Sequence, residues 1–494
     1  MYFSAIKTPP AGDRVRPGFW ARRYAIAALC TVFASTAVVG AEDIELPMTA
    51  DGEPTGVFEA DVGETFEMPL EDAVVQALRH NVSLVVQRYA RSRSLLGVQE
   101  AVGIYDFEFA ATVLANSGSR PPQSLLEDAD VLTTDSEAWN FSLSRLTPWG
   151  GTAEVSWNNS LSESNNAFVV INPQYRVDLN LGFVQPLMRN FGREVTERDI
   201  VVARNNTEIN RETFRLQVET VVQQVSNVYW DLVGAKEQLE VAEKSLDLAK
   251  ELHEMNRIQV DVGTKAPLEM VQSEAGVARR EEDIIRRQQA VADAEDNLRQ
   301  LVNFASGELW DVPIIPVTAP ELAHEPIDVK EAVEDAFKMR ADVIQQRLRN
   351  RTAKLDANVA KNNMRPRLDL TAGYVLDSLA GDDTMPMPDD DGNLVDNSTN
   401  YGDALDSIIS ADFDGWQVRL DFSMPLENRA ARSRAAQADL LVQQGDWELR
   451  DLEGNVRLDV RRTARAVETA NKAIESAKVS SRLAEKNLEA ERKR

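Results

Sequence analysis

The chain has 494 residues, a single cysteine, Cys30, and a formal net charge of −26. A surface this acidic repels nucleic acid, and one cysteine leaves no internal disulfide to form. These features exclude a nucleic-acid-binding protein and a disulfide-stabilised domain.

Residues 1–41 are typical of a secretory signal peptide. Arg22 and Arg23 precede the uncharged run YAIAALCTVFASTAVVGA, whose end fits a small-residue cleavage site after Ala41. A membrane anchor is the alternative, but the run is shorter than the ~20 residues that a span needs. Removing five basic residues and one acidic residue changes the charge from −26 to −30. Residues 42–67 are acidic and aperiodic, so we expect them to be loosely ordered.

An internal repeat organises the rest of the chain. The segment from Leu70 aligns with the segment from Val329 at an offset of 259 residues, and LGFVQPL aligns with LDFSMPL, which pairs Pro186 with Pro425. Each half therefore runs helix, strand, strand, long helix. We predict a first repeat over 68–305, a Pro-rich linker over 306–326 and a second repeat over 327–494.

Four matched segments alternate as strands do. In the stretch from Tyr175 to Phe183, apolar side chains share one face and Arg176 and Asp178 lie on the other. FEFAATVLA, RLDLTAGYVL and GWQVRLDFSMPL repeat the pattern. A length of about ten residues suits a tilted transmembrane strand with a lipid face and a polar lumen face, although a soluble half-buried strand alternates in the same way. Pro186 and Pro425 mark strand-to-helix junctions, and the strand that ends at Pro186 is expected to pass into helix without a loop.

Two connections between strands differ from this pattern. Residues 139–162 of the first half form an extra hairpin that turns at 148–151, and it either enters the barrel or extends its outer rim. The corresponding connection in the second half, from Ser378 to Ser407, is acidic and rich in Gly and Pro. We expect it to be a solvated external loop.

The long helix of the first half has a coiled-coil seam. Small and branched apolar residues step by three and four positions from Val218 to Ala249. With its flanks, from about Val195 to Val260, the helix would be roughly 100 Å long. Gly263 supplies a positive-φ stop and Pro267 suits an early position of the next helix, which predicts an antiparallel hairpin that returns through Leu301.

The sequence shows no catalytic signature. His80, His253 and His324 lack metal-ligand spacing, and no Gly-rich phosphate loop or GxSxG elbow occurs. We predict that the protein is not an enzyme and uses no cofactor or metal.

The order of these elements resembles the TolC family of outer-membrane efflux ducts. The resemblance covers about residues 68–494 and depends on AVVQALRHNVSL, on AVEDAFKMRADV and on the VGT tip that precedes Leu268. It implies a mixed, mainly α fold with long antiparallel coiled-coil hairpins continuous with transmembrane strands. Three copies would form one β-barrel in the outer-membrane lipid and one α-barrel in the periplasm. The homotrimer would dock onto a periplasmic adaptor protein and an inner-membrane pump, and would be a passive exit duct for efflux or secretion.

The resemblance also assigns site residues. The hairpin tip that contacts the adaptor would comprise Val262, Gly263, Thr264, Lys265, Pro267 and Leu268. Glu269 would lie near a tunnel constriction, with ordinary helix-surface charge as the alternative. The acidic composition predicts a negative lumen that favours cations. A periplasmic coiled-coil scaffold, similar to an adaptor, is the competing hypothesis.

The second hairpin is incomplete in this sequence. An offset of 235 residues places the counterpart of Gly263 at position 498, beyond Arg494. We therefore expect a C-terminally truncated member of the family that lacks the second return helix; a divergent member whose gap is filled by another chain is the alternative.

Overall fold

The structure is a computed structural model that describes residues 66–123, 127, 130–304, 310–320, 327–388, 394–395 and 397–492. The expected signal peptide and residues 42–65 lie outside these ranges, as do residues 305–309 and 321–326 at either end of the expected linker.

The protein is mixed α and β and mainly helical, as predicted. The strands are β1 Phe66–Met68, β2 Glu108–Arg120, β3 Leu132–Leu146, β4 Thr152–Ser164, β5 Ile171–Pro186, β6 Ile314–Pro316, β7 Arg367–Asp383, β8 Met387–Pro388, β9 Leu394–Val395 and β10 Asp414–Ser423. The helices are α1 Leu70–His80, α2 Val82–Val102, α3 Arg193–Thr196, α4 Arg198–Asp261, α5 Pro267–Val302, α6 Val329–Met339, α7 Ala341–Asn362, α8 Tyr401–Ser410 and α9 Arg429–Arg492, with a 3₁₀ turn at Gly103–Tyr105.

The chain divides into two compact units, each built from both halves of the sequence. The first comprises Gln99–Val202 and Thr352–Val442, and the second comprises Ala203–Arg351, Gln443–Arg494 and the described part of Glu45–Val98. The first unit contains a six-stranded antiparallel sheet in the order β10-β7-β5-β4-β3-β2. The second unit has a helical core.

The extra hairpin belongs to this sheet. Strands β3 and β4 pair with each other and lie between β2 and β5, so the first half contributes four strands and the second half two. Strands β5 and β7 exceed the predicted length of about ten residues, with 16 and 17 residues, whereas β10 has 10. Alternating side chains and ladder hydrogen bonds continue beyond the segments that the sequence pattern marked.

The coiled-coil seam of α4 is buried where the pattern predicts it. Val221, Val225 and Leu232 are fully buried, and they pack with Leu298 and Val302 of α5 in the core of the second unit. Helix α4 has 64 residues and so is roughly 96 Å long. Helix α5 returns over 36 residues.

Part of the expected linker is a strand. β6 pairs in parallel with β1, with Phe66 opposite Ile314, and both strands contribute to the same helical core. The expectation of loose order therefore fails for Phe66 and Glu67. Three residues are too few to show periodicity, and their pairing partners lie about 250 positions apart in the chain.

The junction between β5 and α4 is not continuous, in contrast to the expectation. Residues 187–197 intervene and contain the short helix α3, a positive-φ Asn190 at 64° and Gly192 at 105°. Leu187 N still donates to Leu368 O at 2.7 Å, which extends the pairing with the β7 side by one bond. Pro186 is the last residue of β5, and Pro425 lies between β10 and α9.

Candidate functional site

The ladder register gives the sheet one continuous apolar face. Residues directly opposite in neighbouring strands share a face, so the pairing of Leu179 with Trp157 and Leu376 extends one apolar row across three strands. We call this surface the apolar face. Its apolar members are Phe109, Ala111, Val113, Trp139, Phe141, Leu143, Ala153, Val155, Trp157, Leu161, Tyr175, Val177, Leu179, Leu181, Phe183, Leu368, Leu370, Ala372, Tyr374, Leu376, Ala380, Trp416, Val418, Leu420 and Phe422. Charged residues that share this face, at or near strand ends, are Asp135, Glu137, Arg145, Glu163 and Asp414.

The opposite surface, which we call the polar face, is mostly hydrophilic. Its charged members are Glu108, Glu154, Asp178, Asp369, Asp377 and Asp421, against Arg120, Arg176, Arg367 and Arg419. Six acidic and four basic side chains leave an excess of two acidic ones. Arg176 bridges Asp178 at 3.5 Å and Asp377 at 3.0 Å, and Arg419 bridges Asp421 at 2.7 Å.

The two edges of the sheet are exposed. Every residue of β2 is exposed, and so are Trp416 through Ser423 of β10. Large apolar side chains are included, with Val113 exposed to 81% and Trp416 to 76%. Such edges present unpaired backbone groups, which makes β2 and β10 the places where the sheet could accept further strands.

The expected solvated loop of the second half contains a helix packed on the sheet. Ala404, Leu405 and Ile408 of α8 cover Val177 and Ala380 of the apolar face. An Asn400–Asp403 capping box begins this helix. The expectation of a loop was wrong for residues 401–407. The Gly- and Pro-rich composition that predicted a loop lies before them, and their own Ala and Leu residues have helical spacing.

A network of residues holds the start of β2 beside the start of α4. The Tyr105 hydroxyl donates to Glu197 Oε1 at 3.3 Å, Arg145 Nε donates to Tyr105 O at 2.8 Å, and Arg193 pairs with Glu197 at 2.8 Å. Burial, followed by the negative charge of Glu197, raises the pKa of Tyr105 to about 12. The phenol therefore stays protonated as a donor. The sequence pattern contained no signal for this contact.

The hairpin tip between α4 and α5 is a tight, hydrogen-bonded turn. Gly263 has φ of 76°, and Gln259 O accepts bonds from Thr264 N at 2.8 Å and Lys265 N at 3.2 Å. Lys265 Nζ donates to Asn256 Oδ1 at 2.7 Å. The two bonds to Gln259 O satisfy a backbone carbonyl in the last turn of α4, as in a helix that ends at a left-handed glycine.

The predicted tip residues are exposed. All residues from Asp261 to Glu269 are exposed, including the apolar Val262 and Leu268, and Pro267 is the first residue of α5. Glu269 lies in the first turn of α5, where a carboxylate complements the helix dipole. The structure thus brings the six predicted tip residues and Glu269 together at one end of the hairpin.

Within the ranges that the structure describes, no helix combines the length and the apolar composition needed to cross a bilayer.

The fold is similar to that of solved outer-membrane channels. It matches the Campylobacter jejuni CmeC channel with a TM-score of 0.56 and 12% identity, covering 84% of this chain and 74% of that one. It matches Vibrio cholerae VceC with a TM-score of 0.54 and 15% identity, covering 84% and 83%. It matches the OprN channel with a TM-score of 0.55 and 17% identity, covering 82% and 75%. No curated protein matches the sequence.

The fold class is therefore that of outer-membrane channel proteins. Residues 151–303, which run from the turn before β4 to the end of α5, match the model of the outer membrane efflux protein family. This segment is similar to the outer membrane efflux protein family, and the resemblance to TolC-like ducts is confirmed.

Proposed function

We propose that the protein is a passive exit duct of the outer membrane, with its apolar face against lipid and its polar face lining a pore. The observation that carries the proposal is the apolar face itself, which is continuous over six strands and opposes a polar face. A water-filled barrel in lipid needs this division, and a family of outer-membrane channels supplies the context.

The sheet requires neighbouring copies to close. Six antiparallel strands are an even number, so β2 and β10 run in opposite directions and β10 of one copy can pair antiparallel with β2 of the next. Three copies of six strands would form a barrel of eighteen strands. Barrels of about 16–18 strands leave an aqueous channel, which suits an exit duct.

The α4–α5 hairpin would meet a periplasmic adaptor protein at its tip. Val262 and Leu268 offer apolar contacts, while the backbone of Gly263 and Thr264 allows close approach and Lys265 and Pro267 flank it. Glu269 would place a carboxylate beside the tunnel end. The duct itself performs no chemistry, and an inner-membrane pump would supply the energy for efflux or secretion.

A periplasmic scaffold is the competing function, and membrane fractionation separates the two. The duct is expected in the outer-membrane fraction, where it should resist alkaline extraction as an integral protein and migrate as a trimer after mild detergent solubilisation. Release into the soluble periplasmic fraction would favour the scaffold. A membrane-bound monomer would instead contradict closure by copies.

A further inference from the structure

Helix α8 lies across the strands of the sheet. Its first residue, Tyr401, contacts Trp139 of β3 and Tyr175 of β5 with ring centroids 5.8 and 5.9 Å apart, and its last turn leads to Phe413, whose carbonyl accepts from Asp377 N of β7 at 3.1 Å. Ten helical residues span ~15 Å, and the three strand spacings from β3 to β7 span ~14 Å. The helix therefore runs around the sheet rather than along it.

Polar side chains occur on the apolar face where α8 covers it. Asn159 and Ser378 share the row of Val177 and are 2% and 3% exposed. Asn159 Oδ1 accepts from the Tyr401 hydroxyl at 2.9 Å, and its Nδ2 donates to Trp139 O at 2.9 Å. These rows are therefore built to contact protein and not hydrocarbon.

The strand length below α8 matches one bilayer. From the row of Val177 to Pro186, strand β5 has nine further residues. At ~3.3 Å per residue and a tilt of ~40°, they rise about 23 Å, close to the ~25 Å apolar band of outer-membrane barrels. The aromatic cluster of Trp139, Tyr175 and Tyr401 then lies at the level where interfacial aromatic girdles occur.

The side of α8 away from the sheet is divided into two arcs. Residues 403, 406 and 410 form a polar arc, with Asp403 and Asp406 exposed. Ile409 lies on the other flank, one turn after Leu405, and is exposed to 82%. An isoleucine this exposed on a helix at the level of an apolar band fits contact with lipid acyl chains.

We propose that α8 is a membrane-interface helix: it lies in the plane of the outer boundary of the bilayer, and Ile409 inserts into the lipid. The occupant of this surface is lipid, because the surface continues the apolar face. The inference rests on the proposed membrane position of the sheet. In this position, α8 sets the depth of the barrel in the bilayer.

Lipid quenching tests this proposal in the full chain. With the only cysteine removed (Cys30→Ser), Ile409→Cys, Ser410→Cys and Val418→Cys are each labelled with the fluorophore NBD and reconstituted into phosphatidylcholine vesicles that contain doxyl-labelled lipid. Ser410 is the matched control on the polar arc, and Val418 reports on the middle of the apolar face. We expect loss of emission with shallow doxyl lipid at position 409 and with deep doxyl lipid at position 418, whereas position 410 responds to aqueous iodide.

The outcomes distinguish the two proposals. If position 418 is quenched by lipid and position 409 only by iodide, α8 faces water and the interface helix is refuted while the membrane sheet stands. If position 418 is not quenched by lipid, the membrane position of the sheet is refuted, and the interface helix with it.

Discussion

Gly263 is the residue on which the hairpin tip depends. Its φ of 76° is in the left-handed region, and a Cβ there would meet no atom within 4 Å, so any cost of substitution is backbone strain. We predict that Gly263→Ala lowers the free energy of unfolding by about 1–2 kcal/mol. Gly276→Ala, at an equally open position inside α5, should raise it by about 0.5–1 kcal/mol. Equal effects in denaturant unfolding would mean that the turn does not need glycine.

Asp342 predicts a pH dependence of stability. Burial opposes its charge, but hydrogen bonds at 2.8 and 3.1 Å from Arg340, the charge of Arg340 and the amide of Val343 outweigh burial and lower the pKa of Asp342. Because this pKa is lower in the folded state, the Asp342 carboxylate contributes fully to the free energy of unfolding above the unfolded-state pKa of about 3.9. This contribution is lost as the pH falls through the folded-state pKa.

Asp342→Asn should therefore destabilise the protein at pH 7 by about 1 kcal/mol or less, because the pair is partly exposed. The difference from the parent should shrink as the pH falls below the unfolded pKa of about 3.9. Asp335→Asn, which removes an exposed carboxylate of α6, controls for the loss of one charge. A difference between Asp342→Asn and the parent that persists unchanged at pH 3 would refute this assignment.

At the scale of elements, a buried ion cluster holds β6 against α4 and α5. Glu295 accepts from Lys236 at 3.1 Å, from Arg299 at 3.0 Å and from Ile314 N at 3.3 Å, while Arg299 also donates to Val312 O at 2.9 Å. Arg299 has only 5% of its side chain exposed. Removing the central charge would leave two cations poorly compensated.

We predict that Glu295→Gln costs about 3–5 kcal/mol of unfolding free energy. The matched control is Asp296→Asn, which removes the other carboxylate on Arg299, at 2.7 Å but 59% exposed. It should cost about 0–1 kcal/mol. Chemical denaturation of both variants gives the comparison, and similar losses would show that burial does not set the energetics of this cluster.

The elements that the sequence predicted are those with a sustained local period. The seam of α4 and the alternation of β5, β7 and β10 extend over enough residues to be recognised. β6 was not predicted because three residues carry no period and its partner β1 is distant in sequence. Helix α8 had a readable signal, the Asn400 cap followed by Ala404, Leu405 and Ile408, but the acidic segment before it favoured a loop.

For the whole molecule, the excess of acidic side chains on the polar face predicts a pore that favours cations. Reversal potentials of single channels in a potassium chloride gradient measure this preference. Glu154→Gln and Asp421→Asn should reduce it. Asp406→Asn, which removes an exposed carboxylate from α8, should leave it unchanged. A preference for anions in the parent protein would contradict a negative lumen.

The sequence predicted the class of molecule but not the number of strands. The order of helices and strands resembles outer-membrane ducts, and the hairpin of residues 139–162 was visible as an addition. Whether it entered the sheet depends on hydrogen bonds between β2 and β3 and between β4 and β5, which no local pattern specifies. The candidate site was also predicted only in part. The hairpin tip was predicted from Gly263 and Pro267, which are close in sequence, whereas Asn159 and Tyr401 are distant in sequence and become adjacent only through the fold.

Cysteine scanning along β10 during single-channel recording tests the central claim, that one face of the sheet meets lipid and the other lines a pore. In the Cys30→Ser background, single cysteines replace residues 417 to 422 in turn, and a charged, membrane-impermeant thiol reagent is added to the aqueous solution. We predict stepwise changes in conductance at Gln417, Arg419 and Asp421 and none at Val418, Leu420 and Phe422. Uniform reactivity, or channels that change only at the apolar positions, would show that the polar face of the sheet does not line a pore.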